Sequence, residues 1–105
     1  MFVEFREKDE MLFLYKEGEL VSEVNQPAIL WDGETKQILQ VGDKENVLNY
    51  YNIAMDISKR KKLNLHEHWV LKEFPKNAET LNHVLKHPRD LILFEQDSPL
   101  ENDIA

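Results

Sequence analysis

Residues 44–62 form a run of nineteen residues without Gly or Pro, and this run constrains the fold more than any other part of the sequence. Asp43 precedes it as a favourable N-cap residue, and Glu45 lies where the positive end of a helix dipole favours an acid. Four consecutive cations at residues 59–62 suit the negative end of the same dipole. The pattern predicts one long helix over residues 44–62.

The apolar side chains of this predicted helix cover an unusually wide arc. At 100° per residue they span about 220°, whereas a helix that lies on a sheet needs an apolar stripe of roughly 100°. The surplus must be covered by other atoms or exposed, and an exposed apolar patch is typical of an interface. The arc consists of Val47, Leu48, Tyr50, Tyr51, Ile53, Ala54, Met55 and Ile57.

Three arrangements would account for the surplus. The short second helix, the C-terminal tail or the loop at residues 6–10 would cover it from within the chain. A second copy would instead pack against it and form a two-fold homodimer, or a different protein or small apolar ligand would occupy it. Aromatic residues and Met carry binding energy at interfaces but also fill cores, so all three stay open. The candidate interface residues are Tyr50, Tyr51, Ile53, Met55 and Ile57.

The chain before the long helix predicts five short strands. Glu17-Gly18 and Asp32-Gly33 are turn dipeptides typical of hairpins, and Asn25-Gln26-Pro27 interrupts the alternating pattern. Because successive strands are joined by short connections, we expect an antiparallel five-strand meander. The predicted strands are residues 2–5, 11–16, 19–24, 28–31 and 36–41.

Three more elements are predicted after the long helix. A strand is expected over residues 65–74, where Pro75 ends it. A second, shorter helix over residues 78–86 begins at the N-cap residue Asn77 and ends before a proline. A last strand is expected over residues 91–94.

The predicted fold class is therefore α+β, with the element order βββββαβαβ. It has a mostly antiparallel sheet, the long helix packed across one face and the short helix beside it. The length of 105 residues suits one domain. We assign that domain to residues 1–95 and expect the polar C-terminal tail, residues 96–105, to be frayed.

The chain is acidic, with 20 acidic and 13 basic residues and a net charge of −7. The acids concentrate at the two ends. This balance argues against nucleic-acid partners and anionic membranes and favours a basic protein partner. The absence of cysteine excludes disulfides and thiolate chemistry. With no apolar stretch long enough to span a membrane and no signal-peptide pattern at the N-terminus, these features predict a cytoplasmic protein.

The four histidines are the one arrangement that resembles a metal site. His66 and His68 would lie on one face of a strand, and His83 and His87, four residues apart, on one face of a helix. The helical pair lies opposite the apolar stripe of its helix, so the two pairs would point apart if helix and sheet pack apolar face to apolar face. No cofactor is predicted, and a four-histidine site within one chain is disfavoured.

No catalytic motif appears in the sequence: it has no phosphate-binding glycine loop, no nucleophile elbow and no zinc-protease signature. The leading hypothesis is a non-catalytic protein-interaction module. It would be a homodimer, or a small acidic inhibitor or immunity-type protein that binds a basic partner. The alternative is a small-molecule or metal-binding protein, an enzyme included, that uses the sheet face with Tyr50, Tyr51 and the histidines.

Overall fold

A computed structural model of the protein describes residues 2–63 and 68–95. These residues form six strands in two antiparallel three-stranded sheets, together with helices. The first sheet has the order β1-β2-β3 and the second the order β5-β4-β6. The elements are β1 (Val3–Lys8), β2 (Met11–Lys16), β3 (Glu19–Glu23), β4 (Pro27–Asp32), β5 (Ile38–Asp43), α1 (Lys44–Arg60), β6 (Trp69–Glu73), α2 (Ala78–Lys86), a 3-10 turn (Pro88–Leu91) and α3 (Ile92–Glu95).

The strand β4 explains why the chain forms two sheets. Its first five residues are all buried, so both of its faces must be covered. Ile29 and Trp31 belong to the core shared with the first sheet, whereas Ala28 and Leu30 pack beneath α1 with Val47. Both edges of β4 are hydrogen-bonded, to β5 and β6, which leaves no edge for β3. The predicted five-strand meander is therefore wrong, although all five of its strands exist.

The core between the two sheets is closed at one end by α2. Its fully or almost fully buried apolar side chains come from both sheets, from α2 and from the 3-10 turn. With α1 on the outer side of the second sheet, the molecule has three layers: first sheet, second sheet and α1. This inner core comprises Phe5, Leu12, Leu14, Val24, Ile29, Trp31, Val41, Phe74, Leu81, Val84 and Leu91.

The second helix forms over residues 78–86, as predicted. The Asn77 side chain accepts a hydrogen bond from the Thr80 N–H at 3.0 Å, which is the expected N-cap contact. One turn later, Asn82 brackets the backbone of Phe5: its Oδ1 accepts the Phe5 N–H at 2.7 Å, and its Nδ2 donates to the Phe5 carbonyl at 2.9 Å. These contacts fix α2 against β1, an edge strand that would otherwise leave backbone groups unpaired.

The last predicted strand is wrong. Residues 91–94 continue from the 3-10 turn into the helical turn α3. Helical spacing places buried Leu91 and then Phe94 against the core, and the Phe94 ring centroid lies 4.9 Å from that of Phe74. Leu93, which alternation would have buried beside Leu91, is 72% exposed. The observed order is therefore βββββαβα, followed by the 3-10 turn and α3 instead of the last strand.

The strand predicted over residues 65–74 is present in its second part. The structure places β6 at Trp69–Glu73, antiparallel to β4, and residues 65–67 lie outside the described part of the chain. Trp69 and Leu71 pack on the α1 side of the sheet, and Val70 packs on the inner core. This alternation is the one expected of a strand, whose successive side chains point to opposite faces of the sheet.

The long helix forms over residues 44–60 in one piece. Its start differs in one detail from the prediction, because the Asp43 side chain does not cap it. Instead, the Asp43 carboxylate accepts the backbone N–H groups of Asn25 at 3.2 Å and Gln26 at 2.8 Å. The Gln26 carbonyl in turn accepts the Lys44 N–H at 2.7 Å. The start of α1 is thus tied to the connection between the two sheets.

The end of α1 is a Schellman motif. The Leu63 N–H donates to the Ser58 carbonyl at 2.8 Å and the Lys62 N–H to the Lys59 carbonyl at 3.2 Å. The buried Ser58 hydroxyl also donates to the Leu63 carbonyl. Lys62 holds a left-handed conformation, with φ of +58°, at the position where glycine is usual.

Replacing Lys62 by glycine is therefore expected to stabilise the protein. Removal of the Cβ relieves the left-handed strain, and the expected rise in the free energy of unfolding is about 0.5–1 kcal/mol. Urea denaturation at low protein concentration measures it. The control Lys59→Gly, inside the helix, is expected to lower the same quantity by about 1 kcal/mol. A fall of similar size in the free energy of unfolding of both variants would contradict the described end of α1.

Candidate functional site

The helix α1 contacts the rest of the molecule along a narrow line. Only Val47 and Ser58 are buried among its seventeen residues. Tyr51 is half-buried and its ring lies 6.2 Å from the Trp69 ring of β6. Met55 is also half-buried. Two of the predicted interface residues, Tyr51 and Met55, are therefore partly covered by other residues of the same chain.

The other three predicted interface residues form an exposed row, which we call the α1 strip: Tyr50, Ile53 and Ile57. Their exposed fractions are 39%, 53% and 38%. Their spacing of three and four residues places them on one side of the helix. Leu48 is 40% exposed on a different side, so it does not extend the row. The α1 strip is thus a row of three exposed apolar side chains that extends over about two turns.

The described residues offer little to cover the α1 strip. The main packing of α1 is with β4 and β5, beneath it. The short helix α2 packs against β1, and Glu7 from the loop region 6–10 accepts the Ala78 N–H at 2.8 Å. Two of the three segments considered as a cover from within the chain are thus engaged elsewhere. The third, the tail at residues 96–105, lies outside the described residues.

The acidic and basic side chains are distributed unevenly between the layers of the molecule. Residues 3–23, which form the first sheet, carry seven acidic and three basic side chains. On its outer face Arg6 donates a 2.9 Å hydrogen bond to Glu4 and stacks over Tyr15 at 4.1 Å. The hydrogen bond to Glu4 raises the pKa of Arg6. By contrast, α1 carries three basic and two acidic side chains, so the α1 strip lies on the least acidic layer.

The histidines do not assemble into one site within the described residues. His68 Nε2 lies 3.2 Å from the Glu34 carboxylate in the β4–β5 hairpin. On α2, His83 Nε2 lies 2.6 Å from the Asp90 carboxylate, and the His83 and His87 rings are 4.9 Å apart. Across residues 2–63 and 68–95 no group of three potential metal ligands occurs.

His66 lies outside the described residues, so its position relative to His68 is not part of the structure. Of the other residues named for a small-molecule site, Tyr50 is exposed on the α1 strip and Tyr51 contacts Trp69. The sheet face that they were expected to line is filled by α1 itself.

Comparison with protein-family models, curated proteins and solved structures finds no match to the chain. In the part of the chain that the structure describes, no helix combines the length and apolar character needed to cross a membrane.

Proposed function

We propose that the protein is a non-catalytic interaction module that forms a two-fold homodimer through the α1 strip. The observation that carries this proposal is the exposure of Tyr50, Ile53 and Ile57 in one row on a helix whose other side is already packed. Rows of large apolar and aromatic side chains of this kind are typical of interfaces.

The position of the α1 strip within the helix favours a second copy as the occupant. Ile53 lies one residue from the middle of α1. Two antiparallel copies of the helix, related by a two-fold axis near Ile53, would therefore bring Tyr50 of one copy opposite Ile57 of the other. An isologous contact needs this self-complementary arrangement, because the same surface serves both copies.

The charges at the ends of α1 also suit an antiparallel pair. The C-terminal end carries the cations of residues 59–62, and the N-terminal end carries Glu45. Antiparallel packing places each cationic end beside the N-terminal end of the other copy, where Glu45 lies, and it aligns the two helix dipoles favourably. The strongly acidic first sheets would lie on the outer layers of the dimer, so their mutual repulsion is small.

The mass in solution tests the proposal. The chain has a mass of 12.5 kDa, and sedimentation equilibrium at high micromolar concentration is expected to give twice that value. Because the α1 strip is short, we expect dissociation on dilution, with a dissociation constant in roughly the micromolar range. A mass of one chain at high micromolar concentration would overturn the homodimer.

A second candidate is an acidic inhibitor that binds a basic protein, and the exposed acids of the first sheet favour it. Glu10, Glu19 and Glu23 are all exposed on this layer. A basic partner would meet the first sheet rather than α1, whose C-terminal end is itself cationic. Charge reversal at Glu19 and Glu23 is expected to weaken such a complex and to leave the mass of the homodimer unchanged.

A further inference from the structure

A cavity of about 320 Å³ lies between the two sheets, away from α1. It is bounded by the start of β1, the end of β2, the edge strand β5 and the C-terminal end of α2. Its volume falls at the lower end of the range typical of small-molecule sites, roughly 300–1,000 Å³.

The wall of this cavity is mainly apolar, and its charged side chains have one sign. Val3, Ile38, Val41 and Leu85 contribute apolar surface, and the charged residues at the cavity are Lys16 and Lys86. No carboxylate of the described residues forms a salt bridge with either lysine. Both cations therefore line this cavity without an acidic partner among the described residues, although the chain has 20 acidic residues.

We propose that this cavity binds a small amphipathic carboxylate of medium chain length. The hydrocarbon part would lie against Val3, Ile38 and Leu85, where its burial removes apolar surface from water. The carboxylate would accept charge-assisted hydrogen bonds from the ammonium groups of Lys16 and Lys86. The volume excludes a long-chain lipid from complete burial, and the two cations select the acid over an uncharged molecule of the same length.

Titration of isotope-labelled protein with decanoate, followed by NMR, tests the proposal. Below the concentration at which decanoate forms micelles, we expect saturable shifts of the Val3, Ile38 and Leu85 signals. Decanol has the same chain length but no charge, and it is expected to bind at least tenfold more weakly. Equal affinity for the two compounds, or no saturable shift with decanoate, would overturn the proposal.

A pair of double variants separates the cavity lysines from the general charge of the protein. Lys16→Met with Lys86→Met keeps most of the side-chain length and is expected to weaken decanoate binding at least tenfold, without affecting decanol. The control Lys8→Met with Lys76→Met removes the same total charge, but from exposed lysines outside the cavity. This control is expected to bind decanoate as the wild type does.

Two results of these titrations would contradict the cavity site. One is unchanged decanoate affinity in the Lys16 and Lys86 double variant. The other is a set of shifts confined to Tyr50, Ile53 and Ile57, which would show binding to the α1 strip instead. Lys86 is exposed and Lys16 is partly exposed, so the double variant is expected to fold, and its NMR spectrum without ligand verifies this.

Discussion

Ile53→Asp is expected to convert the proposed homodimer to monomers. The substitution removes an apolar side chain from the centre of the proposed interface and places two carboxylates close together near the two-fold axis. Burying like charges without partners is strongly unfavourable. We expect the dissociation constant to rise at least 100-fold, which corresponds to about 2.7 kcal/mol. Sedimentation equilibrium over a range of concentrations measures the change.

The matched control for this variant is Asn52→Asp. It introduces the same charge on the same helix, at the neighbouring exposed position on a different side. Asn52→Asp is expected to associate as the wild type does. Since Ile53 is 53% exposed in the single chain, Ile53→Asp is expected to change the stability of the monomer by less than about 1 kcal/mol. An equal rise in the dissociation constant of both variants would show that net charge, and not the α1 strip, controls the association.

Trp31→Ala is expected to cause the largest loss of stability in this protein. Trp31 is completely buried on the inner face of β4, and its ring meets the Phe74 ring edge-on at 6.2 Å. Its removal leaves a cavity between the two sheets that neighbouring strands can fill only in part. The expected fall in the free energy of unfolding is about 3–5 kcal/mol, as measured by urea denaturation.

The second tryptophan provides the comparison. Trp69 is half-buried and lies on the opposite face of the same sheet, under α1 and beside Tyr51. Trp69→Ala is expected to lower the free energy of unfolding by roughly 1–2 kcal/mol, because less surface is returned to water. The chain has two tryptophans, so each variant leaves one as a fluorescence reporter of its own face of the second sheet. A larger fall in the free energy of unfolding for Trp69→Ala than for Trp31→Ala would contradict the described burial of the two side chains.

The local pattern of the sequence was sufficient to predict both main helices. The run without Gly or Pro predicted α1 over residues 44–62, and the structure has it over 44–60. Asn77 and the proline after residue 86 predicted the bounds of α2. The sequence predicts these helix bounds because N-cap residues, charges at helix ends and the exclusion of proline all act within a few residues along the chain.

The division into two sheets depends on packing, although the sequence holds one clue to it. Residues 28–31 are apolar without interruption, and such a run is typical of a strand buried on both faces. A single sheet with one helix covers only one face, so this run already conflicted with the predicted meander. Which strands flank β4 could not be predicted, because a short strand pairs with whichever neighbours bury it best.

The error over residues 91–94 has a similar cause. Four apolar residues in a row fit either a strand or a helical turn, and periodicity cannot separate these in so short a segment. In the structure the helical turn is the conformation that brings Phe94 into contact with Phe74. The candidate interface stays a prediction: the sequence named five residues, and Tyr50, Ile53 and Ile57 are the most exposed of them in the structure.

By itself, the sequence determined the bounds of α1 and α2 to within two residues and how apolar α1 is around its circumference. The tertiary structure decided which part of that circumference stays exposed, and it alone assembled the cavity. Lys16 and Lys86 are seventy positions apart, and no spacing rule relates residues from different sheets and helices. The physical reason is that local structure follows from short-range backbone and capping forces, whereas burial depends on which distant surfaces meet.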